Sequence, residues 1–183
     1  MRFSIHTLGT RGDMQPYLAL ALGLKARGHE VLIVAPAQFS DLAAAERVAF
    51  APLPAEFLSV LDTPEAKAMV GKSGSGFGAG FKLLKHYRHL MRGLLDAEWE
   101  AARAFGPDAI LHHAKALGAP HIAAKLGIPL FLASPLPGFT PTAAFPTPVL
   151  PFASLGPLNH LSHVLMIHGG NILFSGAVRA WRA

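Results

Sequence analysis

A chain of 183 residues with 16 Lys and Arg against 11 Asp and Glu carries a formal charge of +5 with its 10 histidines neutral, and it contains no cysteine. That composition excludes disulfide frameworks, zinc–thiolate sites, iron–sulfur clusters and a thiol nucleophile. The basic residues are scattered, with no run interleaved with aromatics, so nucleic acid is excluded as a partner as well. With 51% hydrophobic and 15% charged residues the chain is not disordered, and its mean hydropathy of +0.37 implies that part of its surface meets a partner, a lipid or a further domain.

The length favours one domain, 1–183, able to bury roughly 70% of the surface of its unfolded form without metal or disulfide support. Gly9 to Asp13 interrupts the apolar start, so no secretory leader is expected. His160, His163, His168, Gly169, Gly170 and Asn171 argue against a membrane span near the end of the chain. Phe3 to Leu8 reads as a strand stopped by Gly9, and Asp13 to Arg27 as a helix with Tyr17, Leu18, Leu20, Ala21 and Leu24 on one face, closed by Gly28. Glu30 to Ala35 is a near-continuous aliphatic run, the pattern of a parallel strand buried on both faces. A short helix over Gln38 to Glu46 and a strand over Val48 to Ala51, ended by Pro52 and Pro54, complete a second step.

From Pro52 to Gly80 the prolines and the run Gly71 to Gly80 predict a mobile loop, 52–80. Its Gly71-Lys72-Ser73 is not a phosphate-binding P-loop, which requires glycine where Ala66 stands and a strand leading in. A long amphipathic helix over Phe81 to Phe105, a strand over Ala109 to Leu111, a helix over Pro120 to Leu126 and a strand over Pro129 to Ala133 follow. Strands and helices in alternation predict an α/β fold, a Rossmann-like doubly wound parallel sheet. Beyond Ser134 the chain becomes proline-rich and then helical to Ala183, a separate segment 134–183.

In open parallel sheets ligands bind outside the carboxyl ends of the strands. Three clusters stand there: Gly9-Thr10-Arg11-Gly12-Asp13, His112-His113, and Ser134 with the proline-rich loop. The first allows a sharp turn and presents amides at a helix start, where an anion is favoured. Asp13 has two readings on spacing alone, a general base at the cleft or the N-cap of the following helix. Of the adjacent His112 and His113, one is expected to face the cleft and the other to pack. The histidines share no ligand spacing with a third His or a carboxylate, so no metal is expected.

The stretch Gly9 to Ala21, followed by Leu24 to Val31 and Ala35-Pro36, resembles the amino-terminal half of GT-B glycosyltransferases, in the sterol 3β-glucosyltransferase-like and antibiotic-glycosylating branch. The resemblance continues through His121 to Pro129 and through Pro137 to Pro146, where Gly138-Phe139 stand in place of the Pro-Trp of the family's Pro-Trp-Thr-Pro-Thr segment. It implies half of a GT-B fold: an acceptor-binding domain that works with a carboxy-terminal donor-binding domain or chain. It implies inverting transfer from a UDP-sugar co-substrate, with no cofactor bound by this chain, to a lipophilic alcohol such as a sterol, terpenoid or polyketide. Asp13 then matches the family's base, and Gly9, Thr10, Arg11 and Gly12 lie beside the donor diphosphate. His113, Ser134 and Phe139 are expected to bind or support the acceptor. Plant relatives place an Asp after the fourth strand to support a His base. His113 occupies that place here, so no carboxylate relay carries over. The expected location is cytoplasmic, with peripheral contact at the inner face of the membrane or a homodimer covering the apolar surface. A non-catalytic module that binds an apolar ligand or partner is the alternative function.

Overall fold

The computed structural model describes residues 1–55, 76–135, 137–148 and 150–183. Most of the expected loop 52–80 lies outside the described residues. The chain divides into two compact units, Met1–Ala133 and Ser134–Ala183.

The first unit holds β1 (Arg2–His6), α1 (Arg11–Ala26), β2 (Glu30–Pro36), a short turn of 3-10 helix at Ala37–Phe39, α2 (Ser40–Ala45), β3 (Ala49–Leu53), α3 (Gly76–Phe105), β4 (Ala109–His112), α4 (Ala119–Leu126) and β5 (Leu130–Leu132). The five strands are all parallel in the order β3-β2-β1-β4-β5. This is the doubly wound Rossmann-like sheet that the alternation of elements predicts. Val31 to Pro36 is buried throughout, as expected of a strand covered on both faces.

Most boundaries shift by a residue or two from the sequence reading, and three of the shifts have a local reason. β3 runs through Pro52 instead of ending there, because β3 is an edge strand and a proline facing away from its single neighbour costs no ladder hydrogen bond. α1 starts at Arg11, two residues before Asp13, with Thr10 as its N-cap. Pro16 therefore sits past the first turn, and the amide it lacks is the one that would reach the carbonyl of Gly12. α3 begins at Gly76, five residues earlier than the amphipathic pattern suggests, and Met91, Leu94, Leu95, Glu98 and Ala102 line its buried stripe.

The second unit carries two short 3-10 turns, Pro137–Phe139 and Gly156–Leu158, and the helix α5 (Asn159–Arg182). Buried polar side chains tie α5 to the proline-rich segment. The Asn159 amide donates to Ala143 O at 2.9 Å, while its oxygen accepts from the Leu155 N–H at 2.8 Å. The His163 ring lies 3.1 Å from Phe145 O. Leu161, Leu165 and Ile172 are exposed along the same helix. By length and composition Gly156–Arg182 is long and apolar enough to cross a membrane, its histidines and glycines notwithstanding.

Candidate functional site

The sheet places its opening between β1 and β4. These strands are neighbours, with His6 opposite His112, yet the chain leaves β1 toward β2 on one side and leaves β4 toward β5 on the other. Their connections diverge, and the crevice at such a switch point is where doubly wound sheets bind ligands. The His113 N–H donates to His6 O at 2.9 Å, extending the pairing one residue past the strand and bringing the two loops together.

Gly9 and Thr10 form the first loop. Gly9 has φ +143°, a conformation that L side chains rarely adopt. A Cβ there would lie 2.1 Å from Asp13 Oδ2, so the carboxylate occupies the space that glycine leaves. Asp13 is the third residue of α1 and is not its N-cap. Its Oδ2 accepts from the Thr10 N–H at 2.8 Å and from the Thr10 hydroxyl at 3.3 Å. The Thr7 hydroxyl donates to Asp13 O at 3.2 Å, fixing the first helical turn to the end of β1.

The loop after β4 supplies the other half. The Lys115 ammonium reaches both carboxylate oxygens of Asp13, Oδ1 at 3.0 Å and Oδ2 at 3.1 Å. The Lys115 backbone N–H donates to His113 Nδ1 at 3.0 Å. Nδ1 is thus the acceptor, so the neutral imidazole carries its hydrogen on Nε2, and Nε2 lies 3.5 Å from Asp13 Oδ1. The Tyr17 ring stands edge-on to His113 with centroids 6.0 Å apart, and its hydroxyl donates to Ala133 O. Side-chain exposure grades across the cluster, with His113 at 2%, Asp13 at 13% and Lys115 at 47%.

Burial alone would raise the Asp13 carboxyl, but the Lys115 hydrogen bond and charge, the Thr10 amide and His113 outweigh it and hold the group below its ordinary value. Burial, reinforced by the Lys115 cation, pushes His113 down to about 4 against the pull of Asp13. Burial and the nearby Asp13 charge keep the Tyr17 hydroxyl protonated well above neutral pH. At neutral pH the site is therefore an ionised carboxylate, an ammonium and a neutral imidazole whose one lone pair is already engaged. Asp13 is the only member of this cluster poised to accept a proton.

The His113 shift has a consequence for stability. Between pH 6.5 and about 4 an unfolded imidazole binds a proton that the folded one refuses, so stability is full above that window and is lost as pH falls through it. His112, also held low chiefly by burial, adds with the same sign. We expect the folded chain to lose on the order of 2–3 kcal/mol between pH 7 and pH 4 through His113. Thermal melts at pH 7.5 and 4.5 measure this. The same midpoint at both values would contradict it, and His113→Gln is expected to flatten the dependence.

A second cluster lies beneath the sheet. His6 Nδ1 is 3.0 Å from Glu98 Oε2, and His6 Nε2 is 2.8 Å from Ser4 Oγ. This is the order of a Ser-His-acid triad, but all three residues are fully buried, so no substrate reaches the serine. Gly118 makes room for the carboxyl, since a Cβ there would lie 3.1 Å from it. Glu98 Oε1 has no hydrogen-bond partner among the described residues.

Of the residues singled out from the sequence, Asp13, Thr10, Gly9 and His113 come together, while Arg11 and Gly12 belong to the first turn of α1. Ser134 and Phe139 fall in the second unit, Phe139 closing its first 3-10 turn. Both members of the histidine pair are buried, His113 the more so, and His112 Nδ1 lies 3.1 Å from His113 O. Among the described residues no three His, Asp or Glu side chains converge to hold a metal ion. Sequence reasoning passed over Lys115, although it stands in the same loop as His113. It also passed over Tyr17 as a site residue, although one helical turn separates it from Asp13.

Residues 3–146 match the Glycosyltransferase family 28 N-terminal domain. The chain is 34% identical to the sterol 3-beta-glucosyltransferase of Kluyveromyces lactis over 99% of its own length, and it spans 14% of that protein. It is 32% identical over its whole length to UDP-sugar-dependent glycosyltransferase 52 of Dictyostelium discoideum, of which it spans 11%. Among solved structures it resembles a Streptomyces sp. SF2575 glycosyltransferase complexed with thymidine diphosphate, at 28% identity and a TM-score of 0.54, over 73% of this chain and 38% of the other.

Proposed function

Because the chain belongs to the glycosyltransferase family 28 N-terminal domain family, we propose that it is the acceptor-binding half of an inverting, UDP-sugar-dependent glycosyltransferase acting on a lipophilic alcohol. The observation that carries this reading is the ionised Asp13 at the β1–β4 switch point, with one oxygen, Oδ2, engaged by Thr10 and the other turned toward Lys115 and His113. A neutral alcohol is a poor nucleophile, and a carboxylate within hydrogen-bond reach of its proton makes attack at the anomeric carbon feasible. A displacement from the opposite face inverts that carbon. A carboxy-terminal donor-binding domain holds most of the UDP-sugar. The Arg11 and Gly12 amides at the start of α1, beside Gly9 and Thr10, meet part of its diphosphate charge.

The sterol in the name of the Kluyveromyces lactis relative supports a sterol acceptor, with a terpenoid or polyketide-like alcohol as related lipophilic classes, and Ser134 and Phe139 are assigned to its binding or support. The +5 charge and the exposed Leu161, Leu165 and Ile172 of α5 support a peripheral contact with the cytoplasmic face of a membrane, where such acceptors partition. The test is a turnover assay with UDP-glucose and a panel of lipophilic alcohols, run on this chain alone and with a donor-binding domain supplied in trans. Transfer is expected only in the second arm. Transfer at ordinary enzyme rates by the chain alone overturns the two-domain reading, and no transfer in either arm overturns the enzymatic one.

A further inference from the structure

Lys115 stands as close to the proposed base as a donating acceptor hydroxyl would. Its ammonium bridges both oxygens of Asp13, at 3.0 and 3.1 Å, and its side chain is half exposed. Oδ2 is already engaged by the Thr10 N–H and hydroxyl. The oxygen left to take a proton is Oδ1, and an acceptor hydroxyl donating to it must lie roughly 2.6–3.2 Å away. An oxygen placed there on the side of the carboxylate where the ammonium stands, 3.0 Å from Oδ1, can accept a hydrogen bond from Lys115 as well. We propose that Lys115 is a second catalytic residue of this site, whose ammonium holds the acceptor oxygen while Asp13 Oδ1 removes its proton.

This inference rests on Asp13 being the base. In the step, the acceptor O–H bond breaks and its proton passes to Asp13 Oδ1. The oxygen's electron pair forms the new bond to the anomeric carbon of a nucleoside-diphosphate sugar. The bond from that carbon to the diphosphate breaks, and its pair leaves on the diphosphate. Negative charge builds on the acceptor oxygen before the new bond is complete, and a cation preorganised beside it stabilises that charge most in a site shielded from water. The same cation makes Asp13 a weaker base, which is why its second contact matters: it lowers the basicity of the acceptor oxygen together with that of the carboxylate. Lys115 also acts through its backbone. Its N–H fixes the hydrogen of His113 on Nε2, facing Oδ1, so both donors on that side of the carboxylate come from one turn of chain.

The dependence on acceptor acidity separates this role from a structural one. In the enzyme completed with a donor-binding domain, Lys115→Met is expected to lower turnover of an alkanol acceptor by about 10²-fold. Turnover of a nitrophenol, whose oxygen bears negative charge readily, should fall less than about tenfold, and Lys115→Arg should recover most of the alkanol rate. In the chain by itself, a ¹³C titration of the Asp13 carboxyl should show its midpoint rising in Lys115→Met, because the Lys115 hydrogen bond and charge hold it down. Lys115→Gln serves if the Met variant does not fold. Equal losses with both acceptors, or losses below about threefold with both while Asp13→Asn abolishes turnover, overturn the role of Lys115 and leave Asp13 as the base. Full turnover in Asp13→Asn overturns both.

Discussion

Asp13→Asn in a reconstituted two-domain enzyme is expected to cut turnover by about a hundredfold or more, while the fold loses less than about 1 kcal/mol. The two effects separate because the residue has two faces. Toward the helix, Oδ2 accepts from the Thr10 N–H at 2.8 Å, and an asparagine carbonyl oxygen accepts from the same amide in the same place. Toward the crevice, Oδ1 meets Lys115 and His113, and an amide there has no proton-accepting capacity at neutral pH. Lys115 loses its anionic partner, but a side chain that is half exposed recovers most of that by hydration. Steady-state kinetics and urea unfolding on the same preparation make the comparison. A stability loss above about 2 kcal/mol with turnover retained would mean that the carboxylate only organises the start of α1.

Glu98→Ala should be the most damaging single change to the fold, at about 3–5 kcal/mol, enough to unfold much of a domain of ordinary stability. The carboxylate is fully buried and faces His6 at 3.0 Å. Its removal strands the imidazole in the interior and opens a cavity beside Gly118 and Leu95. Glu98→Gln keeps an acceptor for His6 but sets an NH₂ where Oε1 has no partner among the described residues, so an intermediate loss is expected. Urea unfolding of the three proteins ranks them. A Glu98→Ala loss under about 1 kcal/mol would show that the Ser4-His6-Glu98 chain contributes little net stability.

What could be read from the sequence follows the range of the interactions involved. The aliphatic run of β2 announces a strand buried on both faces because both its neighbours and its covering helices demand the same residues at every position. The loop after β1 is visible because Gly9 punctuates it. The start of α1 is placed two residues late because Asp13 is a good N-cap by type, although Thr10 with an acidic residue three positions on is the stronger pattern. Lys115 and Glu98 are harder to see. Each has its partner about a hundred residues away, Asp13 for the one and His6 for the other. In the local pattern Glu98 is only a polar interruption in the stripe of Met91, Leu94, Leu95 and Ala102. No carboxylate relay carries over from the resemblance, and the 3.5 Å approach of His113 on the β4 loop to Asp13 on the β1 loop is visible only in the fold.

The place of β1 in the sheet bears on how the chain is made. β1 is central, yet its β4 partner, Phe3 against Ala109, emerges more than a hundred residues after it. At translation rates of about 5–20 residues per second, β1, β2 and β3 form a half-sheet for on the order of ten seconds with the β1 edge unpaired. That edge carries the backbone groups of Phe3, Ser4, Ile5 and His6, and an open apolar edge is a template for pairing with another chain. Over this interval that edge is open to pairing with another chain. Conditions that slow elongation between residues 54 and 108 should lower the soluble yield without altering a single contact of the finished molecule.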